Sequence, residues 1–245
     1  MPATQDSLRS SHREALIDPR QVKWPPRLFA SSVHGPVAIL DVEATFCEPP
    51  GRRLIEVSVV RVEPRRQAPR VRLDTLVNPQ RWISGYNIHR ITSDHVREAP
   101  RFEDIAGNIV KALAGCVIAG YNVSYDISVL QDEFRRLGFP FNPPRLCLMR
   151  LRSLLGLGPK CSLKVACQEH GIEHKDEHRA VSDALAGARL WKLYRRTMMT
   201  QGLRTYGDLF RNFYLMTLTE PLLPLRAAKS LRSSRSSRLK PRGPP

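Results

Sequence analysis

Long apolar runs are missing from this chain. No stretch reaches the roughly 18 consecutive apolar residues that a membrane-spanning helix needs, so we predict no contact with a membrane. The first 20 residues also lack the apolar segment of a secretory signal, and their three acidic side chains argue against a transit peptide. Together these absences predict a cytoplasmic protein.

Cysteine is scarce as well. There are five in 245 residues, and no two have the C-x-x-C spacing. An odd number without a metal-ligand pattern indicates reduced thiols, in agreement with a cytoplasmic location. Cys161, Cys167, His170 and His174 lie close together in the sequence, but their spacing fits no common zinc finger, and zinc is not predicted.

Acidic residues are absent from the last 20 positions, RAAKSLRSSRSSRLKPRGPP, which contain seven Lys or Arg. The Arg, Ser and Pro content predicts a disordered basic tail at 226–245. The whole chain carries a formal net charge of +16, and basic residues remain in excess outside the tail. A basic surface attracts polyanions, so nucleic acid is the predicted partner, although a charge that only confers solubility would look the same.

Three short apolar runs with turn signals between them open the ordered part of the chain. They lie at 37–42, 52–63 and 71–77 and predict three strands of an antiparallel meander. The preceding residues 1–35 are polar and are predicted to form an N-terminal extension.

Helical periodicity follows the three strands. Helices are predicted from Phe102 to Leu113 and from Ile127 to Leu137, with a buried strand at 116–121 between them. Short helices at 146–155 and 161–170, a long helix at 178–198 and a helical extension at 201–225 complete the pattern. This order predicts an α/β fold with a mixed β-sheet flanked by helices.

Two acidic motifs come directly after predicted strands. Asp41 and Glu43 end the first strand, and side chains two residues apart on a strand face the same way. Asn122 and Asp126 follow the strand at 116–121. We expect Asn122 to cap the next helix and Asp126 to lie in its first turn.

A third motif places His178 and Asp183 at the start of the long helix. Carboxylates brought together from separate elements repel one another unless cations neutralise them, and Mg²⁺ prefers oxygen ligands. A pair of divalent cations supports phosphodiester hydrolysis by water, and a histidine can accept the proton near neutral pH. The sequence therefore predicts a hydrolytic metal site whose ligands are Asp41, Glu43, Asp126 and Asp183, with His178 as the base.

Each motif is common when taken alone. His89 and Asp94 repeat the spacing of His178 and Asp183, and we treat them as a decoy because they lie in a predicted polar loop. The order of the three motifs along the chain, and the element on which each one lies, carry the specificity.

The combined pattern, over about residues 36–196, resembles the DEDDh exonucleases, the family of the epsilon subunit of bacterial DNA polymerase III and of RNase T. Further matching segments are GRRLIEV at 51–57, Asn78-Pro79, IHRIT at 88–92 and APRF at 99–102. The resemblance implies a ribonuclease H-like exonuclease domain at 36–200 that releases nucleoside monophosphates from 3′ ends. It also implies two Mg²⁺ or Mn²⁺ ions on the four acids and His178 as general base.

The sequence departs from the family on the substrate side. Ala44 stands where Thr usually follows the Glu, Tyr121 where a His often precedes the Asn, and Arg90 where Gly is common. Substrate contacts are expected from Ala44, Thr45, Phe46, His89 and Asn122. Phe46 and Tyr125 have the chemistry to stack on a base, with core packing as the alternative.

The predicted partners are single-stranded or frayed 3′ ends of DNA, with RNA as an option, and a polymerase or repair protein bound through the basic tail. The alternative function is a non-catalytic, nucleic-acid-binding accessory module of a polymerase or repair assembly. The complete set of acids and the histidine favour the enzyme.

Overall fold

The computed structural model describes residues 31–46, 51–64 and 66–208. Five strands form one sheet in the order β3-β2-β1-β4-β5. The strands are β1 (Val37–Ala44), β2 (Leu54–Val62), β3 (Arg70–Leu76), β4 (Val117–Gly120) and β5 (Arg145–Cys147). The first three pair antiparallel, and β4 and β5 extend the sheet in parallel from β1. The predicted meander and the mixed sheet are confirmed.

Helices cover both faces of the sheet. They are α1 (Tyr86–His89), α2 (Ser93–Val96), α3 (Phe102–Leu113), α4 (Ser124–Arg136), α5 (Leu148–Leu154), α6 (Leu163–Glu169) and α7 (Ala180–Thr200). None of the helices in the described ranges combines the length and the apolar character that crossing a bilayer requires. The predicted extension at 201–225 lies mostly outside the described residues, and the predicted tail lies wholly outside them.

Three elements were missed by the sequence analysis. The helices α1 and α2 occupy the segment predicted to be a polar loop, and β5 was assigned to the helix after it. Each is only three or four residues long, too short for a periodic pattern to appear. Tertiary contacts hold this segment instead, because Ile83, Ile91 and Val96 pack on Ile55 of β2 as a small separate apolar cluster.

Alternation along β1 divides the core into two layers. Val37 and Ile39 pack on the side that contains Trp191 of α7, whereas Leu40 and Val42 pack on the side of α3 and α4. Side chains of a strand point alternately to the two faces of the sheet. The odd-numbered positions that follow Ile39, at 41 and 43, therefore point towards α7.

Two glycines allow the elements beside β1 to approach it closely. A Cβ atom on Gly120, at the end of β4, would lie 2.6 Å from the carbonyl oxygen of Leu40. A Cβ atom on Gly187 of α7 would lie 3.1 Å from Cγ2 of Ile39. Since Gly187 is about one turn after Asp183, this contact also fixes how near the N-terminal end of α7 comes to β1.

Candidate active site

All four predicted acids line one open pocket at the carboxyl end of β1. Asp41 and Glu43 come from β1, Asp126 from the first turn of α4 and Asp183 from the first turn of α7. The N-terminal ends of two helices thus meet at the pocket, where their partial positive charge favours anionic groups. The structure brings together every residue that was predicted to bind metal.

The end of β4 explains how Asp126 reaches β1. The last pair between β1 and β4 joins Ile39 to Ala119, so the edge of β1 beyond it has no strand partner. The N–H of Val42 on this edge donates a hydrogen bond of 3.0 Å to Oδ1 of Asp126. This bond fixes the Asp126 carboxylate beside the two carboxylates of β1.

The predicted cap at Asn122 is wrong. The N-cap residue of α4 is Val123, and no side chain caps this helix. Asn122 has a left-handed backbone with φ of 72°, and its carbonyl oxygen accepts the N–H of Tyr125 at 3.0 Å. Its side chain therefore does not bond the helix and instead lines the pocket.

Glu56 of β2 anchors the helix that carries Asp183. It lies opposite Glu43 in the β1–β2 register and is buried. One carboxylate oxygen accepts the N–H of Ala180 at 3.0 Å, and the other accepts two N–H groups of Arg179 at 2.9 and 3.0 Å. This role was not predicted from the sequence, although a single acid inside an apolar strand must find buried donors.

His178 does not line this pocket but lies beside two of its acids, Glu43 and Asp183. It precedes α7 by two residues, is exposed and has a left-handed backbone with φ of 65°. One ring nitrogen and one carboxylate oxygen each of Glu43 and Asp183 all lie within 4.8 Å of one another. The ring therefore reaches both carboxylates from the solvent side.

Crowding and burial change the acidity of the carboxyl groups. Burial, with added repulsion from Asp183, Glu56 and Asp126, raises the pKa of Glu43 to about 8. Burial also raises the pKa of Asp126 to about 7, although its backbone hydrogen bonds act the other way. Burial first, and then the neighbouring carboxylates, raise the pKa of Asp41.

This arrangement fits divalent cations. Without a cation, burial and mutual repulsion favour the protonated forms of Asp41, Glu43 and Asp126, because both effects disfavour the charged carboxylate. An all-oxygen donor set from three elements suits hard ions such as Mg²⁺ and Mn²⁺. A bound cation favours the charged form of each carboxylate and thus displaces those protons.

A family model described as Exonuclease (RNase T) matches residues 38–191. The chain belongs to this exonuclease family. Exonucleases of this kind use divalent metal ions, in agreement with the donor set of the pocket.

Two curated relatives from the DNA polymerase III epsilon group are equally similar to this chain in sequence. The chain is 27% identical over 175 residues to a DNA polymerase III subunit epsilon-like protein of Rhodobacter capsulatus, covering 69% of this chain and 25% of the relative. It is also 27% identical over 180 residues to the DNA polymerase III subunit epsilon of Buchnera aphidicola, covering 68% and 75%. The chain thus spans about a quarter of the Rhodobacter relative, and it spans 13% of a PolC-type DNA polymerase III of Caldanaerobacter subterraneus.

Solved exonucleases share the fold. The structure of exonuclease X in complex with 5′ overhanging duplex DNA superposes with a TM-score of 0.52 at 24% identity, covering 71% of this chain and 98% of that one. Escherichia coli exonuclease I in complex with a dT13 oligonucleotide gives a TM-score of 0.56 at 19% identity, covering 69% and 42%. The ribonuclease H-like fold predicted from the sequence is confirmed.

Two of the residues that were expected to contact substrate are not among those that line the pocket. Ala44 is buried and packs in the core layer of α3 and α4. His89 is also buried, and its two ring nitrogens are bonded to the carbonyl oxygen of Ser84 and to the N–H of Ile91, each at 3.0 Å. Ala44 is therefore a core residue and His89 bonds the backbone around α1, and a substrate contact by either one stays a prediction.

The other three residues expected to contact substrate do line the pocket, namely Thr45, Phe46 and Asn122. Thr45 is fully buried, and its hydroxyl accepts the N–H of Arg53 at 3.0 Å, so it also holds the connection between β1 and β2. Phe46 is 49% exposed and Tyr125 is 41% exposed. Core packing, the alternative for these two aromatic residues, is wrong.

Ile88 and Arg52 line the pocket together with Phe46 and Tyr125. Ile88 is 43% exposed, although it is apolar. The guanidinium carbon of Arg52 lies 5.2 Å from the ring centre of Tyr125, within the range of a cation–π contact. The pocket thus has one wall of carboxylates and another of apolar side chains beside a cation. The sequence analysis assigned no role to Arg52 and quoted Ile88 only as part of a motif.

Proposed function

We propose that the protein is a metal-dependent 3′–5′ exonuclease that hydrolyses phosphodiester bonds at nucleic-acid 3′ ends and releases nucleoside monophosphates. The observation that carries this proposal is the convergence of Asp41, Glu43, Asp126 and Asp183 on one open pocket of an exonuclease-family fold, with His178 beside two of these acids.

The four carboxylates would hold two Mg²⁺ or Mn²⁺ ions. Such ions, when bound, offset negative charge at the scissile phosphate and make a coordinated water more acidic. The carboxylates contribute by giving up the protons that burial and repulsion otherwise retain on Glu43 and Asp126. The hydrogen bond from Val42 to Asp126 and the one from Ala180 to Glu56 hold two of the elements that carry these carboxylates in place. Little reorganisation of the carboxylates is therefore needed when the ions bind.

His178 is the proposed general base. Its ring is open to solvent, where the attacking water enters, and it lies close to Glu43 and Asp183. A histidine nitrogen that faces both the solvent and the carboxylates can accept the proton of the water and pass it to bulk solvent.

The apolar wall gives the proposed substrate preference. Phe46, Ile88 and Tyr125 expose apolar surface on which a terminal base can stack, and Arg52 supplies a positive charge for a phosphate. The amide of Asn122 adds a hydrogen-bonding group. An unpaired terminal base can enter such a pocket without first being separated from a partner, so we propose single-stranded or frayed 3′ ends of DNA as the substrate, with RNA as the competing class.

End-labelled oligonucleotides test this function. In Mg²⁺, a 3′-labelled single strand should release labelled mononucleotide at once, whereas a 5′-labelled strand should shorten in single-nucleotide steps. EDTA should stop both reactions. Internal cuts or release from the 5′ end would contradict the proposal, and binding without hydrolysis would indicate the accessory module instead. Parallel assays on frayed duplex DNA, blunt duplex DNA and RNA decide the substrate class.

We also propose that the basic tail at 226–245 contacts the nucleic-acid backbone. Deleting it removes seven positive charges, so binding should weaken and its salt dependence should become shallower, while hydrolysis persists. Binding measured at several salt concentrations, with Asp183→Asn in both forms to prevent degradation, checks this. An unchanged salt dependence would contradict contact with the nucleic-acid backbone and favour a polymerase or repair protein as the partner of the tail.

The cytoplasmic location stays a prediction.

A further inference from the structure

A second histidine contacts the pocket, four residues before His178. Nε2 of His174 lies 2.6 Å from Oδ1 of Asp183. The two side chains are only 6% and 14% exposed. His174 belongs to the loop between α6 and α7, and the sequence analysis considered it only as part of a zinc pattern.

Among the described residues, Asp183 provides the one hydrogen-bond partner of the His174 ring. Its other nitrogen, Nδ1, is buried there without a hydrogen-bond partner. An ionised carboxylate only accepts hydrogen bonds, so the Nε2–H group donates to Asp183. A buried ring with an unpaired nitrogen packs less favourably than an apolar side chain of the same size. The bond to Asp183 therefore accounts for a histidine at this position better than packing does.

Asp183 needs such a restraint. Its charge acts on Asp41, Glu43 and Asp126, and all three repel it. A carboxylate in the first turn of a helix can rotate about its side-chain bonds, and repulsion favours rotation away from the other acids. A donor that holds one oxygen opposes this rotation and leaves the second oxygen available to a cation.

We propose that His174 is a positioning residue that holds the Asp183 carboxylate in its metal-binding orientation. The inference rests on the proposed function, because it assigns Asp183 to a metal. It separates the two histidines by their surroundings: the His174 side chain is buried and bonded to Asp183, whereas His178 is exposed beside Glu43 and Asp183. His174 thus acts on metal affinity, and His178 acts on the water.

His174→Leu tests this role, because leucine fills similar space without a donor. Removing the hydrogen-bond partner of a metal ligand typically weakens metal binding about 10–100-fold. Calorimetric titration of the full chain with Mn²⁺ should show a loss of that size. His174→Gln should restore most of the affinity, because the amide nitrogen of glutamine reaches roughly as far as Nε2 of histidine, whereas the shorter side chain of His174→Asn should not.

His170→Leu is the matched control. Its ring lies in the same part of the chain, but its Nε2 is 3.2 Å from Nη1 of Arg152 rather than at the pocket. This variant should bind Mn²⁺ like the wild-type protein. Thermal melting in EDTA should give similar midpoints for wild type and His174→Leu, since the positioning role needs no contribution of His174 to the metal-free fold.

Each result decides the proposal. Wild-type Mn²⁺ affinity in His174→Leu would overturn it, and so would a lowered melting midpoint in EDTA combined with no rescue by glutamine, which is the signature of a structural residue. In both cases the proposed function stands if Asp183→Ala abolishes binding. Failure of the wild-type protein to bind Mn²⁺ would overturn the proposed function together with the role of His174.

Discussion

Replacing Asp41, Asp126 or Asp183 with alanine should lower the rate of hydrolysis by about a thousandfold or more. Each residue is a proposed metal ligand, and losing several kcal/mol of transition-state stabilisation costs roughly that factor. The fold should persist in each variant, because removing one carboxylate from a crowded anionic pocket relieves repulsion. Single-turnover rates in Mg²⁺ and thermal melting in EDTA measure the two effects separately.

Two further variants sharpen this test. Asp126→Asn keeps an oxygen that can accept the N–H of Val42 and removes only the charge, so it should be inactive but at least as stable as Asp126→Ala. Asp94→Ala is the matched control, since Asp94 has the same spacing from His89 that Asp183 has from His178 but is exposed and paired with Arg97. Near-wild-type turnover in any of the three alanine variants would exclude that residue as a ligand.

His178→Ala should lose roughly 10²–10⁴-fold in rate, which is the usual contribution of a general base. Affinity for Mn²⁺ should be retained, because the four carboxylates remain. His174→Leu should show the opposite pattern, with weakened Mn²⁺ binding as its first effect. Rates at saturating metal, together with calorimetry of Mn²⁺ binding, separate the two histidines.

The geometry permits one competing role for His178. Its ring lies near Glu43 and Asp183 and has the chemistry of a metal ligand. If His178→Ala lost as much Mn²⁺ affinity as Asp183→Ala, His178 would be a ligand and its assignment as the base would fail.

Local patterns were enough to predict the placement of the acids. The two-residue period of a strand aligned Asp41 with Glu43, and the short turn after β4 placed Asp126 at the start of a helix. The mixed sheet followed from three apolar runs separated by turn signals and from the helical periodicity after them.

Long-range partners could not be predicted in this way. Glu56 bonds the amide of Ala180, 124 residues away, and nothing in the periodicity of β2 indicates that partner. The left-handed backbone of Asn122, which directs its side chain to the pocket instead of the helix, depends on tertiary packing as well. His174 was missed for another reason: its neighbours in the sequence suggested a zinc pattern, whereas its partner in space is Asp183.

Anomalous diffraction from crystals containing Mn²⁺ and a nucleoside 5′-monophosphate would locate the metal ions themselves. We expect two manganese peaks in the pocket, coordinated by the carboxylates of Asp41, Glu43, Asp126 and Asp183, and loss of manganese from the pocket in Asp183→Ala. A wild-type pocket without manganese, or manganese bound only at other carboxylates, would exclude these four acids as the metal site.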